Sequence, residues 1–290
     1  MKKNIDNNHE IYSLANEFFE QSREELFKCR KLYGKNNSKL FKTYYFNLLK
    51  ERQYFEYIKY FNIERILPLL TSIKQDILLL DAGCGLGTES ILSALVGATV
   101  VGVDISHERL NIARLRKEYF EELYNRKLKI QFLYKNILNH YKKYDIIWVN
   151  EAISHIDPLD LFLQRCYRNL NNQGKLIISD ANKLNPYVFF QSKKDQLQSG
   201  AVYKQIIKND LQNGPEISYA VERIFSVPTI SRLLSKYFEV REIKNVRFLP
   251  YFFFRFCPKL TIKVEKKVLS RFPVINLFSG TYIITAFKNT

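Results

Sequence analysis

The sequence predicts an α/β protein built on a doubly wound, mostly parallel sheet. Three observations carry that reading. Short apolar runs alternate with helix-like stretches over about residues 77–180. Three alternating glycines follow the first apolar run and open a helix. Two further strand-like segments return near the end, after the alternation has stopped.

Residues 1–75 read as helical and carry no strand signal. One helical segment spans Glu10 to Lys31, with Ile11, Leu14, Phe18 and Leu26 on one stripe. The run from Gly34 to Ser38 reads as a break, and a second helical segment then continues from Phe41 through Tyr54 and Phe61 to Leu70. Ile77–Leu80 reads as a buried parallel strand because it is continuously apolar and ends at Asp81. A helix over Thr88–Leu95 stops at Gly97, and a second strand, Thr99–Val103, ends in Asp104. A charged helix from His107 to Tyr124 precedes strands at Lys129–Leu133, Asp145–Val149 and Lys175–Ile178. Residues 183–222 are polar and read as an irregular or helical insertion. Pro228–Lys236 reads as a helix capped by Ser226, and Phe238–Val246 and Gly280–Phe287 as the two late strands. The expected organisation is a helical cap over 1–75 and a catalytic-type domain over 76–290, with insertions at about 183–225 and 247–279.

Composition narrows the class. With 46% hydrophobic and 26% charged residues, the chain suits a core-forming globular protein rather than a disordered or fibrous one. Four cysteines (Cys29, Cys84, Cys166, Cys257) lie too far apart for a zinc or redox motif, so no metal site is expected. The N-terminus lacks the apolar run of a secretory signal. The longest uncharged C-terminal stretch, Phe272–Phe287, is broken by Pro273 and Gly280 and falls short of a membrane span. A reducing, cytoplasmic setting fits.

The glycine cluster lies in Leu80-Asp81-Ala82-Gly83-Cys84-Gly85-Leu86-Gly87-Thr88. Glycine at these positions lets the backbone turn tightly and approach a ligand. The carboxyl end of the first strand is also where open parallel sheets bind ligands. The spacing is G-x-G-x-G with Thr88 next, which departs from the dinucleotide fingerprint, and no P-loop lysine follows. Asp104, closing the second strand, has the acceptor oxygens that a ribose diol needs. A helix cap or turn is the bland use of a lone Asp there.

These residues, with Val100-Val101-Gly102-Val103-Asp104-Ile105-Ser106, resemble the class I S-adenosylmethionine-dependent methyltransferases. The resemblance covers about Ile77 to Asp180 and returns in the last two strands. It implies a seven-stranded Rossmann-like methyltransferase sheet with an antiparallel final pair, and S-adenosylmethionine as cofactor. On this resemblance Gly83, Cys84, Gly85 and Gly87 shape the cofactor loop and Asp81 orients the methionine ammonium. Asp104, beside Ile105, holds the ribose hydroxyls. Asn136 and Ile137 fall beside the adenine, where the family often has an acidic residue in place of Asn136. Asn150 and Glu151 fall at the methionine end.

Methyl transfer from a sulfonium relies chiefly on alignment. A base is needed only for a protonated acceptor, and His155, in Ser154-His155-Ile156-Asp157, is the catalytic candidate. Ser154, His155, Asp180 and Asn182 are the candidate acceptor contacts. The Asn/Asp-Pro-Pro-Tyr/Phe box of base-amino methyltransferases is absent from the fourth strand and the segment after it.

The net charge of +16 is uneven. Residues 76–182 hold 13 basic and 13 acidic side chains, whereas 223–271 hold 12 basic against 3 acidic. That stretch includes Arg247-Phe248-Leu249-Pro250-Tyr251-Phe252-Phe253-Phe254-Arg255-Phe256. Bulky aromatics among cations suit an apolar lid, a membrane surface or lipid-linked acceptor reached through 247–279, or nucleic acid. Three function classes stay open. The first is a methyltransferase acting on O or N of a small, partly apolar acceptor. The second is an RNA methyltransferase using 223–271. The third is a cofactor-binding protein without turnover.

Overall fold

A computed structural model describes residues 8–74, 76–190, 193, 203–206, 217–220 and 223–288. Seven strands form one sheet in the order β3-β2-β1-β4-β5-β9-β8. They are β1 (Leu78–Ala82), β2 (Thr99–Asp104), β3 (Ile130–Tyr134), β4 (Tyr144–Asn150), β5 (Leu170–Ala181), β8 (Phe238–Val246) and β9 (Thr281–Lys288). β1–β2, β2–β3 and β4–β5 pair parallel, and β5–β9 and β9–β8 pair antiparallel. The antiparallel final pair expected from the sequence is therefore present.

Two compact units divide the chain. The first comprises Met1–Lys135 with Leu249–Val264, and the second Asn136–Phe248 with Glu265–Thr290. In the first, the helical front is two helices, α1 (Asn8–Tyr44) and α2 (Arg52–Leu70). The break expected over Gly34–Ser38 shrinks to one residue. Only Gly34, at φ 76°, is non-helical inside α1. Asn37 Nδ2 donates to the Tyr33 carbonyl at 3.1 Å and Ser38 Oγ to the Lys35 carbonyl at 2.9 Å, which serves the backbone around the kink. Leu26, Cys29, Phe41 and Phe55 of this front pack on Leu86 and Ile112, so the helices share a core with the glycine loop. α3 (Thr88–Val96) and α4 (His107–Leu123) complete the unit.

The second unit is centred on Trp148, Tyr144, Phe162 and Phe238, all fully buried. Its helix α5 (Leu159–Asn169) feeds directly into β5, which runs past the expected end at Ile178 because it pairs with β9 as far as Ala181. Ser226 caps the helix Val227–Leu234, accepting from the Thr229 N–H at 3.4 Å. The polar segment 183–222 meets the irregular or helical expectation in part, since residues 186–190 are helical. Its described parts include an antiparallel strand pair, β6 (Tyr203–Ile206) and β7 (Ile217–Ala220), and most of the rest lies outside the described residues. Tyr203, Ile206, Ile217 and Tyr219 are strand-favouring residues and suit a short ribbon despite the polar composition.

Candidate functional site

In the first unit the β1–α3 loop is shaped by its glycines. Gly83, Gly85 and Gly87 have φ of 79°, 52° and 76°, a region that side chains disfavour. The loop is pinned to β2. The Gly83 and Cys84 N–H groups both donate to the Val103 carbonyl, at 2.8 and 3.1 Å. Space demands glycine as well: a β-carbon on Gly87 would stand 2.8 Å from Phe132 Cζ. Cys84 is buried against Leu110, Ala113 and Phe132, a small filler whose thiol is pushed up by burial.

Asp104 is the hub of this loop. Its Oδ2 accepts the Gly85 N–H at 2.9 Å and its Oδ1 the Ser106 N–H at 2.8 Å. Each oxygen keeps a second lone pair, so the carboxylate is oriented yet still able to accept from a diol. Ile105, next in sequence, is half-buried. Asp81 is buried and accepts from Ser90 Oγ at 2.6 Å. Burial, with the charges of Glu89 and Asp104, raises its carboxyl above the usual range.

A group that sequence reasoning missed braces the loop from behind. Arg116, from α4, is fully buried and forms an ion pair with Glu25 of α1, Nε to Oε1 at 2.9 Å. It also donates to the Leu86 carbonyl at 3.1 Å and Thr88 Oγ1 at 2.7 Å.

In the second unit, Asn136 caps a 3-10 turn, its Oδ1 accepting from the Leu138 N–H at 2.9 Å, with Ile137 buried behind it. Asn150 ends β4, and Glu151 follows at φ 48°, its N–H donating to the Ser179 carbonyl at 2.9 Å. Ser154 and His155 share the 3-10 turn Ile153–His155, Ser154 buried and His155 half-buried. The Ser154 N–H donates to Asp180 Oδ2 at 3.3 Å, so this turn and the end of β5 do meet. Asp180 is buried, and burial, reinforced by the charge of Glu151, pushes its carboxyl up to about 7. Tyr282 is its cross-strand partner on β9 and is fully buried. Among the described residues its hydroxyl meets no hydrogen-bond partner. Nothing in the residue pattern marks it beyond its place in a strand. Asn182 serves a different end. Its Nδ2 donates to the Leu277 carbonyl at 2.9 Å and its Oδ1 accepts from the Leu184 N–H at 3.2 Å, which ties the segment before β9 to the end of β5.

Comparison with known proteins adds an independent line. A family model described as a methyltransferase domain matches residues 54–236. The ubiquinone biosynthesis O-methyltransferase of Pelagibacter ubique (strain HTCC1062) is 31% identical over 171 residues, covering 57% of this chain and 67% of that one. The mitochondrial ubiquinone biosynthesis O-methyltransferase of Rattus norvegicus is 31% identical over 106 residues, covering 36% of this chain and 31% of that one. The match thus spans about a third of the mammalian relative's length. Among solved structures, magnesium protoporphyrin IX methyltransferase from Synechocystis PCC 6803 with bound SAH has a TM-score of 0.52 at 15% identity. That likeness covers 96% of this chain and 100% of the other, and is one of fold.

Proposed function

The chain belongs to the class I S-adenosylmethionine-dependent methyltransferase family, and from that premise we propose that it methylates an oxygen of a small, partly apolar or lipid-like acceptor. The observation that carries the cofactor half is the Asp104 carboxylate, held by the Gly85 and Ser106 N–H groups with lone pairs to spare. A ribose diol fits that donor–acceptor set, and a glycine loop without side chains leaves room for the cofactor beside it. Gly83, Cys84, Gly85, Gly87, Asp81 and Ile105 form the rest of the loop's binding set. Within the second unit, Asn136, Ile137, Asn150 and Glu151 keep the cofactor-binding role that the family resemblance implies for them. The bound cofactor supplies a methyl group already activated by its sulfonium. The protein's own task is to orient, to exclude water and to take up one proton.

His155 is the proposed base for an acceptor hydroxyl, with Ser154 in the same turn and Asp180, at the end of β5, bonded to the Ser154 N–H. Oxygen is preferred over nitrogen because the curated relatives named above are O-methyltransferases. The link to quinone chemistry also favours an acceptor with an apolar part. The helix Tyr251–Phe256 supports that preference. Phe252 and Phe256 are 63% and 67% exposed, and Arg255, Lys259 and Lys263 accompany them without an acidic residue between. Such a face suits an anionic membrane surface from which a lipid-like acceptor is drawn. No helix among the described residues is long and apolar enough to cross a membrane.

Methyl-labelled S-adenosylmethionine, the purified chain and a phenolic quinone precursor with and without its apolar tail test the reading. Label is expected in the tailed acceptor, and co-sedimentation is expected with anionic rather than zwitterionic vesicles. Labelled RNA, or label transferred to nothing, would overturn the acceptor assignment. No measurable affinity for S-adenosylmethionine would overturn the whole reading.

A further inference from the structure

We propose that the C-terminal turn of α1 is a wall of the cofactor site, with Tyr44 as a cofactor contact and Arg116 as the residue that positions it. This rests on the cofactor reading above and extends it to residues outside the glycine motif.

Arg116 is 1% exposed and Glu25 0%. The guanidinium uses its donors in two directions. Nε donates to both Glu25 oxygens at 2.9 and 3.2 Å, and Nη2 to Glu25 Oε2 at 3.1 Å and Ser22 Oγ at 3.5 Å. Nη1 donates to the Leu86 carbonyl at 3.1 Å, Thr88 Oγ1 at 2.7 Å and the Tyr45 hydroxyl at 3.4 Å. Leu86 and Thr88 flank Gly87, so the glycine loop is gripped on both sides of its last glycine. Glu25 is itself fixed by the Tyr33 hydroxyl at 2.6 Å. The rings of Phe41, Tyr45 and Phe120 lie 5.1, 5.3 and 5.8 Å from the guanidinium and hold its plane. Tyr45 closes the circuit, its hydroxyl bonded to that of Thr88.

A buried ion pair kept only for stability is replaceable by apolar side chains of similar volume. This one ends on a backbone carbonyl of the cofactor loop and on the first residue of α3. A lysine could keep the charge but could not serve carboxylate, carbonyl and hydroxyl with one planar fork. The consequence appears one residue before Tyr45. Tyr44 is 44% exposed, and its hydroxyl lies 3.9 Å from where a β-carbon on Gly85 would stand. Among the described residues beyond Gly85's chain neighbours, no other atom comes within 4 Å of that point. Gly85 is the residue whose N–H donates to Asp104. A cofactor lying over Gly85 therefore has the Asp104 carboxylate as an acceptor and the Tyr44 hydroxyl as a donor to one of its oxygens. The Arg109 guanidinium, 4.9 Å over the Tyr44 ring, adds positive charge to that rim.

The test is calorimetric binding of S-adenosylhomocysteine to the full chain and to Tyr44→Phe, Arg116→Lys and Glu25→Gln, with melting curves for each. Tyr44→Phe is expected to bind about 3- to 10-fold more weakly, the range for one lost hydrogen bond. Its melting curve is used only to show that the variant is folded at the temperature of the binding measurement. In turnover, its KM for S-adenosylmethionine should rise with kcat at saturation and the acceptor KM unchanged, a split that a packing role would not produce. Arg116→Lys and Glu25→Gln should each lose about 10-fold or more. Should either fail to fold, Thr88→Val replaces it, removing only the hydroxyl that Arg116 and Tyr45 share, with a loss of about 3-fold or more expected. Wild-type binding together with unchanged affinity in Tyr44→Phe overturns the contact. Unchanged affinity in a folded Arg116→Lys or in Thr88→Val overturns the positioning role. A wild-type chain that does not bind the ligand overturns the cofactor reading and this proposal with it.

Discussion

The loop between β1 and α3 and the turn after β4, which meets the end of β5 at Asp180, are shaped by different means. The first is a backbone device. Three left-handed glycines, two N–H groups on the Val103 carbonyl and one on Asp104 set its shape, and its side chains are chiefly braces. The second is a side-chain device. A buried carboxyl, Asp180, takes backbone N–H groups from Ser154 and Ala181, and in the same unit the Tyr282 hydroxyl has no hydrogen-bond partner among the described residues. A backbone device offers the same groups to any ligand of the right shape, which suits a fixed cofactor. A side-chain device can be re-specified by single substitutions, which suits an acceptor site.

The largest expected effect breaks the brace behind the backbone device. Glu25→Leu leaves Arg116 charged and unpaired in the core, and should cost about 3–5 kcal/mol of stability in urea titration. Next comes Asp104→Ala, which strips the acceptor from the Gly85 and Ser106 N–H groups. S-adenosylmethionine affinity should fall at least about 100-fold by calorimetry, roughly 2.7 kcal/mol. An Asp104→Ala protein that binds normally would mean the loop does not rely on its one acidic hub, and the contrast between the two regions would fail.

How far each region was legible follows from the same contrast. Gly83, Gly85 and Gly87 could be read from the sequence because a left-handed turn has few residues that satisfy it, and Asp104 because it closes a strand at a fixed place. Arg116 and Glu25 were not legible. They stand 91 positions apart, and α4 looks like a solvated charged helix in one dimension. Tyr282 lay in a strand that was found, but its register against Asp180 depends on where β9 pairs, which a single strand's composition does not encode. The ribbon β6–β7 was missed because its polar surroundings outweighed two four-residue runs.

Gly87→Ala sharpens the comparison from the steric side. An alanine at φ 76° costs about 1–2 kcal/mol, and its β-carbon would meet Phe132 at 2.8 Å and Ala113 at 3.1 Å. A total of about 2–3 kcal/mol is expected in thermal or urea unfolding. Phe132→Leu in the same chain should recover only the steric part, because the backbone part belongs to the glycine itself.

The smallest effect belongs to the side-chain device and is read through pH. Burial holds the Asp180 carboxyl at about 7 in the folded chain, against about 3.9 when unfolded. Between those values the native state keeps a proton that the unfolded state has released. The native state therefore binds more protons, and stability contributed by this group falls as pH rises from about 4 toward 7. At lower pH both states are protonated and the contribution is flat. Asp180→Asn keeps the shape and removes the titration. The variant should lose about 2 kcal/mol less stability than the wild type between pH 5 and pH 7, measured by urea titration at each pH. Equal slopes in the two proteins would place the charged carboxylate in the fold at neutral pH. The region would then hold a fixed anion, as the β1–α3 loop does at Asp104.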